Sequence, residues 1–260
     1  MHFLEITGAE HKIVKRLAGL KEKKYRERYG EFLVEGENSV LWALDSPYTV
    51  NTVVKSNDYT VPQSFIPFLE GKQLYSVPLH IFAKIADTKT PQGILCSCAL
   101  PQAPPLPKSG LFLYCDRVRD PGNVGSMIRS ADAMGLDGVM LSPESVDPYN
   151  PKLVRSTMGS LFHLRLYTSV SADMLDDLKQ NGFSLAVSAL SNQSITPDAW
   201  QVAPNTILVV GNEAHGVSDR VCAMADVTVK IPMHGSAESL NVAAAAAILL
   251  YEAAKRGGRI

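Results

Sequence analysis

The chain predicts an α/β protein of two domains, and three observations carry that expectation. Short apolar stretches alternate with helix-like segments along nearly the whole length. Leu100-Pro-Gln-Ala-Pro-Pro-Leu-Pro-Lys-Ser-Gly110 holds four prolines, which block helix and strand pairing alike, so 101–110 reads as an extended linker. The pieces on either side, 1–100 and 111–260, are both of ordinary domain length. In the second piece strand and helix alternate with the regularity of an open parallel sheet.

The first piece opens on a basic helix candidate, His11 to Glu27. Glu31-Phe-Leu-Val-Glu35 follows as a short strand closed by Gly36. Then come a helix (38–44), a strand (50–55), a proline-containing helix (61–69), a strand (73–77), a helix (81–85) and a strand (93–98), consistent with a small α/β sandwich. The second piece begins with an apolar strand, 110–115. Asn123 can cap a helix that stops at Gly135. Strands are expected at 138–141, 163–167, 184–189, 205–210 and 227–231, and helices at 152–158, 172–180, from Val217, and at 241–255.

Composition excludes little. Net charge is −1, so no global excess of base announces a nucleic-acid partner. Residues 11–30 nevertheless carry eight Lys/Arg against Glu22 and Glu27. Lys12, Lys15, Arg16, Lys23, Lys24 and Arg26 are the candidate phosphate contacts there, although such a cluster also suits a merely solvated helix face. Cys96, Cys98, Cys115 and Cys222 form no Cys-x-x-Cys pair and read as thiols of a reducing compartment. No apolar leader follows Met1 and no apolar run reaches spanning length, so a cytoplasmic protein off the membrane is expected. No metal is expected, because no ligand cluster is visible.

Three separated stretches carry the chemistry: Asn123-Val-Gly-Ser-Met-Ile-Arg129, Gly211-Asn-Glu-Ala-His-Gly216 and Ile231-Pro-Met-His-Gly-Ser-Ala-Glu-Ser-Leu-Asn241. Each pairs glycine with polar residues just beyond an apolar strand. In open α/β sheets ligands bind outside the carboxyl ends of strands, so the three loops can converge on one pocket. Common nucleotide fingerprints are missing: there is no Gly-x-Gly-x-x-Gly after a strand and no Gly-Lys-Ser/Thr. Taken singly, Asn123 and Asn241 read as helix caps, Arg129 as a surface side chain, and Glu213 as a complement to a helix dipole. Asp116 and Asp120 flank Arg117 and Arg119, which suits local pairing or RNA contact.

In this order and with these spacers, the three stretches resemble the motifs of the SpoU (TrmH-like) RNA 2'-O-ribose methyltransferases, over Leu111 to Lys255. Lys15-Arg16-Leu17, Phe32-Leu-Val-Glu-Gly36 and Thr90-Pro-Gln-Gly93-Ile-Leu95 resemble that family's L30e-like substrate-binding domain. The resemblance implies a knotted parallel-sheet (SPOUT-type) domain, S-adenosyl-L-methionine as cofactor, and a homodimer whose site is completed across the interface. It places Gly211, Ile231 and Leu240 in the cofactor pocket, with Ser188 as a weaker candidate. It makes Asn123, Arg129, Glu213, Ser239 and Asn241 the catalytic set. Structured RNA is the implied substrate, with large-subunit rRNA favoured and tRNA second; a non-catalytic RNA-binding protein is the alternative of another class.

Overall fold

The computed structural model describes residues 2–191 and 193–260, which fall into two units: Met1–Gln102 with Asp147–His163, and Ala103–Val146 with Leu164–Ile260. The break near residue 102 lies beside the proline-rich stretch. A contiguous second domain was expected from the sequence; instead 147–163 leaves it and packs with the first unit.

The first unit is built on a five-stranded sheet. Its strands are β1 (Leu4–Glu5), β2 (Glu31–Glu35), β3 (Val50–Ser56), β4 (Gln73–Val77) and β5 (Ile94–Ala99), in the order β1-β4-β3-β5-β2. β5 runs antiparallel to both β2 and β3, and the remaining pairs are parallel. The helices are α1 (Lys12–Gly19), α2 (Lys23–Tyr29), α3 (Glu37–Leu44) and α4 (Leu79–Ile85). The segment expected as a helix at 61–69 is a 3-10 turn, Gln63–Phe68, with Pro67 inside it; proline has no N–H to give to an α-helical ladder.

The single basic helix expected over 11–27 is two helices. α1 buries Ile13, Val14 and Leu17 against Ile81, Phe82 and Ile85 of α4. The chain then turns, with Leu20 N–H bonded to Leu17 O and Glu22 N–H to Gly19 O. Arg26 reaches back from α2 into this turn, giving Nη1 to the carbonyls of Leu20 (2.8 Å) and Lys21 (2.9 Å). Its Nη2 and Nε bind Asp147 Oδ2 at 2.5 and 3.2 Å. The guanidinium is thus a buried rivet joining α1, α2 and the 147–163 excursion. Phe32 against Tyr149, Tyr48 against Phe162, and Trp42 against His163 complete the seating of that excursion, which includes helix α6 (Pro151–Ser156).

The second unit is a six-stranded sheet with every neighbour parallel. Its strands are β6 (Leu111–Cys115), β7 (Gly138–Leu141), β8 (Arg165–Tyr167), β9 (Ser184–Ser188), β10 (Thr206–Val210) and β11 (Val227–Val229), ordered β11-β9-β10-β6-β7-β8. Helices α7 (Ala172–Gln180) and α8 (Asp219–Ala223) pack over Phe112, Tyr114, Leu185, Val187, Ile207 and Val209 on one face. Side chains alternate along a strand, so the other face is left to α5 (Pro121–Ala133) and α9 (Val242–Arg256), which also pack on each other. Residues 103–110 are no free linker, because Leu106 packs against the second unit's core. Among the described residues no helix is long and apolar enough to cross a membrane.

The strand order reverses between β6 and β10. At such a switch point the loops leaving adjacent strands diverge and open a crevice at the carboxyl edge. After β11, at the sheet's edge, the chain returns through 230–241 to start α9. β11 ends at Val229, earlier than expected: Lys230 N–H bonds to Ile195 O (2.9 Å), outside the β9 ladder, and Pro232 has no N–H to extend one.

Replacing Arg26 by methionine strands Asp147 and two turn carbonyls in a buried setting. The expected result is a loss of about 3 kcal/mol in urea unfolding, whereas removal of the exposed Lys24 changes stability by roughly 0.5 kcal/mol or less.

Candidate active site

Each of the three loops has a local reason for its shape. At α5, Asp120 is the N-cap: its Oδ1 accepts from Asn123 N–H at 2.8 Å, and Pro121 occupies the first helical position, where its missing N–H costs nothing. The cap expected of Asn123 is therefore held by Asp120. Asn123 lies inside the first turn with its side chain released for other work.

The loop after β10 is a closed ring. Asn212 and Gly216 exchange both backbone hydrogen bonds (3.0 and 2.9 Å), and Asn212 Oδ1 accepts from the N–H groups of Ala214 (2.9 Å) and His215 (3.2 Å). Gly211 lies under the returning strand of this ring. A Cβ there would sit 2.1 Å from Gly216 C and Val217 N, which are backbone atoms that cannot swing away. Glycine at 211 is thus a packing requirement. Asn212 Nδ2 also donates to Arg117 O (2.9 Å), tying the ring to the loop after β6.

In the third loop Asn241 caps α9, its Oδ1 accepting from Ala243 N–H (2.9 Å) and Ala244 N–H (3.3 Å).

One hydrogen-bonded chain joins all three. Asn241 Nδ2 donates to Asn123 Oδ1 (3.0 Å), and Asn123 Nδ2 donates to Glu213 Oε1 (2.8 Å). A carboxylate only accepts, so Glu213 fixes which end of the Asn123 amide faces it. Asn123 must then offer oxygen to Asn241, whose own oxygen is committed to the helix cap. The direction of the whole relay follows from one acceptor.

Beside this chain is a cavity of about 680 Å³ at the carboxyl ends of β9, β10 and β11. Ser188, Gly211, Ile231 and Leu240 all line it, as do Glu213, Ser239 and Asn241. Leu190 and Leu240 leave apolar surface open there (74% and 38% exposed), and polar side chains such as Ser188, Glu213, Ser239 and Asn241 share the lining. A mixed apolar and polar lining in a volume of roughly 300–1,000 Å³ suits a small molecule. Leu190, Met233 and Cys222 line the same cavity and were not anticipated; a lone leucine after a strand gives no local signal of its role. Burial, followed by the charges of Asp219 and Asp116, pushes the Cys222 thiol up, with Arg117 opposing. Cys222 is therefore a neutral wall and no nucleophile.

Arg129 stands apart. It is exposed on α5, about 9 Å along the helix axis from Asn123, and it is not among the residues lining the cavity of its own chain. Of the basic residues read as phosphate contacts, Lys12, Lys15, Lys23 and Lys24 are exposed. Arg26 is withdrawn from that set, since every guanidinium nitrogen is bonded inside the fold. Arg16 is largely committed too, to Glu31 Oε1 (3.3 Å) and Thr52 Oγ1 (2.9 Å). Among the described residues, no group of three or more His, Cys, Asp or Glu is placed to hold a metal.

Comparison with known proteins identifies the family of the chain. Residues 110–251 match the model of the SpoU rRNA methylase family, and residues 11–96 match that of the MRM3-like substrate binding domain. The chain is 37% identical, over 95% of its length and 98% of the relative's, to the 23S rRNA (guanosine(2553)-2'-O)-methyltransferase RlmP of Bacillus subtilis. Among solved structures, the AdoMet-bound rRNA methyltransferase of Sinorhizobium meliloti superposes with a TM-score of 0.86 at 29% identity, covering 96% of this chain and 97% of that one. AviRb of Streptomyces viridochromogenes, a SpoU methyltransferase solved with AdoMet, gives 0.83 at 28% identity, covering 95% and 98%. The chain belongs to the SpoU rRNA methylase family.

Asn241→Ala removes two cap bonds from α9 and the far end of the relay. Loss of a cap costs about 1 kcal/mol, so thermal unfolding should show a fall in Tm of roughly 2–4 °C. Asn241→Asp, which still caps but cannot donate to Asn123, should recover most of that fall.

Proposed function

We propose that this protein transfers a methyl group from S-adenosyl-L-methionine to a ribose 2'-hydroxyl of large-subunit ribosomal RNA. The observation that carries the reading is the Asn241–Asn123–Glu213 relay bordering a cavity that Gly211, Glu213 and Asn241 line. The relatives support rRNA over tRNA, and the exposed lysines of α1 and α2 suit a polyanion. A cytoplasmic setting fits both the substrate and the four free cysteines.

The cofactor fits the residues present. Adenine needs an apolar slot and backbone partners, which Leu240, Ile231 and the 211–216 ring offer. When bound, S-adenosyl-L-methionine supplies an electrophilic methyl on a sulfonium. The rest falls to the chain. A ribose hydroxyl attacks poorly until it sheds its proton, which the Glu213 carboxylate at the cavity takes as the oxygen attacks; the site must also orient that oxygen in line and stabilise the growing negative charge. Glu213, Asn123 and Ser239 are the groups that position the ribose. Arg129 serves to stabilise negative charge rather than to act as base, because a guanidinium carries only donors and no acceptor.

The position of Arg129 supports a homodimer. Ala244, Ile248 and Tyr251 form an exposed stripe on α9, and α5, which carries Arg129, packs alongside. Pairing two such faces would hide the stripe and let Arg129 of one protomer serve the partner's pocket. The knot that the family resemblance implies is part of the proposal, with the return of 230–241 from the sheet's edge to α9 as its candidate crossing.

Labelled S-adenosyl-L-methionine with unmodified 23S rRNA tests the activity, the label appearing at one alkali-resistant linkage. Transfer to tRNA alone would overturn the substrate, and cofactor binding without transfer to either RNA would favour a non-catalytic role. Arg129→Ala and Gly211→Ala should each abolish transfer. Co-expressed, the two should regain roughly a quarter of wild-type activity, since half the dimers are then mixed and each mixed dimer has one intact site. No recovery would place Arg129 in its own chain's site.

A further inference from the structure

Arg117 stands where its backbone is strained. Its φ is +58°, and only Met158 and Ser169 share that condition among the described non-glycine residues. Asparagine and glycine enter this region far more readily than a long side chain does. The turn is nonetheless held from both sides: Arg117 N–H donates to Ser142 Oγ (2.8 Å), and its carbonyl accepts from Asn212 Nδ2 (2.9 Å). Strain that the surroundings enforce is a pointer to function.

The fold makes little use of the side chain so placed. Arg117 Nε is buried without a hydrogen-bond partner, and it lies 3.7 Å from Asp116 Oδ2, an ion pair without a hydrogen bond. Asp116 is itself occupied, its Oδ2 accepting from Ser218 N–H at 2.6 Å to fix the start of α8. The guanidinium side chain remains 34% exposed. The Arg117 carbonyl is bonded to Asn212, which lines the cavity, so the loop that carries Arg117 borders that cavity. Two residues on, Arg119 is exposed. A conformationally costly arginine with spare donors, beside the cavity and paired along its loop with a second arginine, has the form of an anion contact.

We propose that Arg117 binds a phosphate of the RNA backbone and so sets the substrate strand against the cofactor pocket. Two arginines spaced along one loop suit successive phosphates better than the single carboxylate of a small cofactor. The proposal rests on the reading of this protein as an rRNA methyltransferase. It adds a positioning residue in the loop between β6 and α5.

The variant that tests it is Arg117→Asn, which keeps the left-handed turn and removes the charge. RNA affinity is measured by filter binding to an unmodified 23S rRNA fragment across a salt series, cofactor affinity by calorimetry with S-adenosyl-L-methionine, and Tm by scanning. The expected result is roughly tenfold weaker RNA binding and a log–log salt slope shallower by about one. Cofactor affinity should be unchanged and Tm equal to or above wild type, with Arg117→Lys intermediate in RNA affinity. Unchanged RNA affinity and salt slope would overturn the proposal. So would a selective loss of cofactor affinity, which would give the guanidinium to the cofactor's carboxylate. Wild-type protein that binds no rRNA would instead sink the functional reading from which the proposal starts.

Discussion

A carboxylate that can only accept sets the orientation of this site. Glu213 takes the Asn123 amide by its nitrogen, Asn123 must then face Asn241 with its oxygen, and Asn241 turns its own oxygen into the first turn of α9. The partners lie 90 and 118 residues apart. Nothing in their local sequence requires them to meet; the parallel sheet does. Its order reverses between β6 and β10, so the loop that starts α5 and the loop after β10 leave adjacent strands. The third loop returns from the sheet's edge to the same end. Gly211 lets the second loop fold back on itself beside the relay, since a Cβ there would collide with the backbone of Gly216 and Val217. One topology therefore supplies the crevice, the donors and the fixed direction of the amides.

The first unit shows the opposite use of charge. Its most basic segment is partly structural: Arg26 is consumed in closing a helix–helix turn and in holding Asp147, and Arg16 is bound to Glu31 and Thr52. The lysines, whose ammonium groups prefer water, stay outside in weak surface pairs such as Lys24 with Glu22. Arginine went inward because its planar fork can satisfy several acceptors at once. A polyanion approaching this unit meets lysines on a frame riveted by arginines.

Much of the fold was legible in the sequence because it is written locally. Short apolar runs marked the strands of both sheets except β1, whose two residues Leu4–Glu5 carry no apolar run, and the helix at Ala172–Gln180 was readable with its Asn181-Gly182 stop. The three loops were legible as motifs. What escaped depends on partners far along the chain. The bond from Arg26 to Asp147 spans 121 residues and leaves no trace in either neighbourhood, so neither the helix break nor the seating of 147–163 could be foreseen. The helix start was misplaced by three residues: Asp120 and Asn123 are both capping types, and only Pro121 tips the choice. Arg129 was expected in the catalytic set, but it does not line its own chain's cavity, a consequence of its place on α5 that residue identity does not disclose. Arg117 was readable as a local ion-pair member or an RNA contact, but its strained turn was not, because backbone strain has no sequence mark when the strained residue is arginine.

The central claim is that three loops act as one site through the Asn123–Glu213 bond. A double-mutant cycle on methyl-transfer kcat, comparing Asn123→Ala, Glu213→Ala and the pair, tests it most directly. The account predicts strong non-additivity, the double variant falling little below either single one, with a coupling of about 1 kcal/mol or more. Losses that simply add would contradict it, since they would mean that the two residues serve the reaction independently and that their bond is incidental.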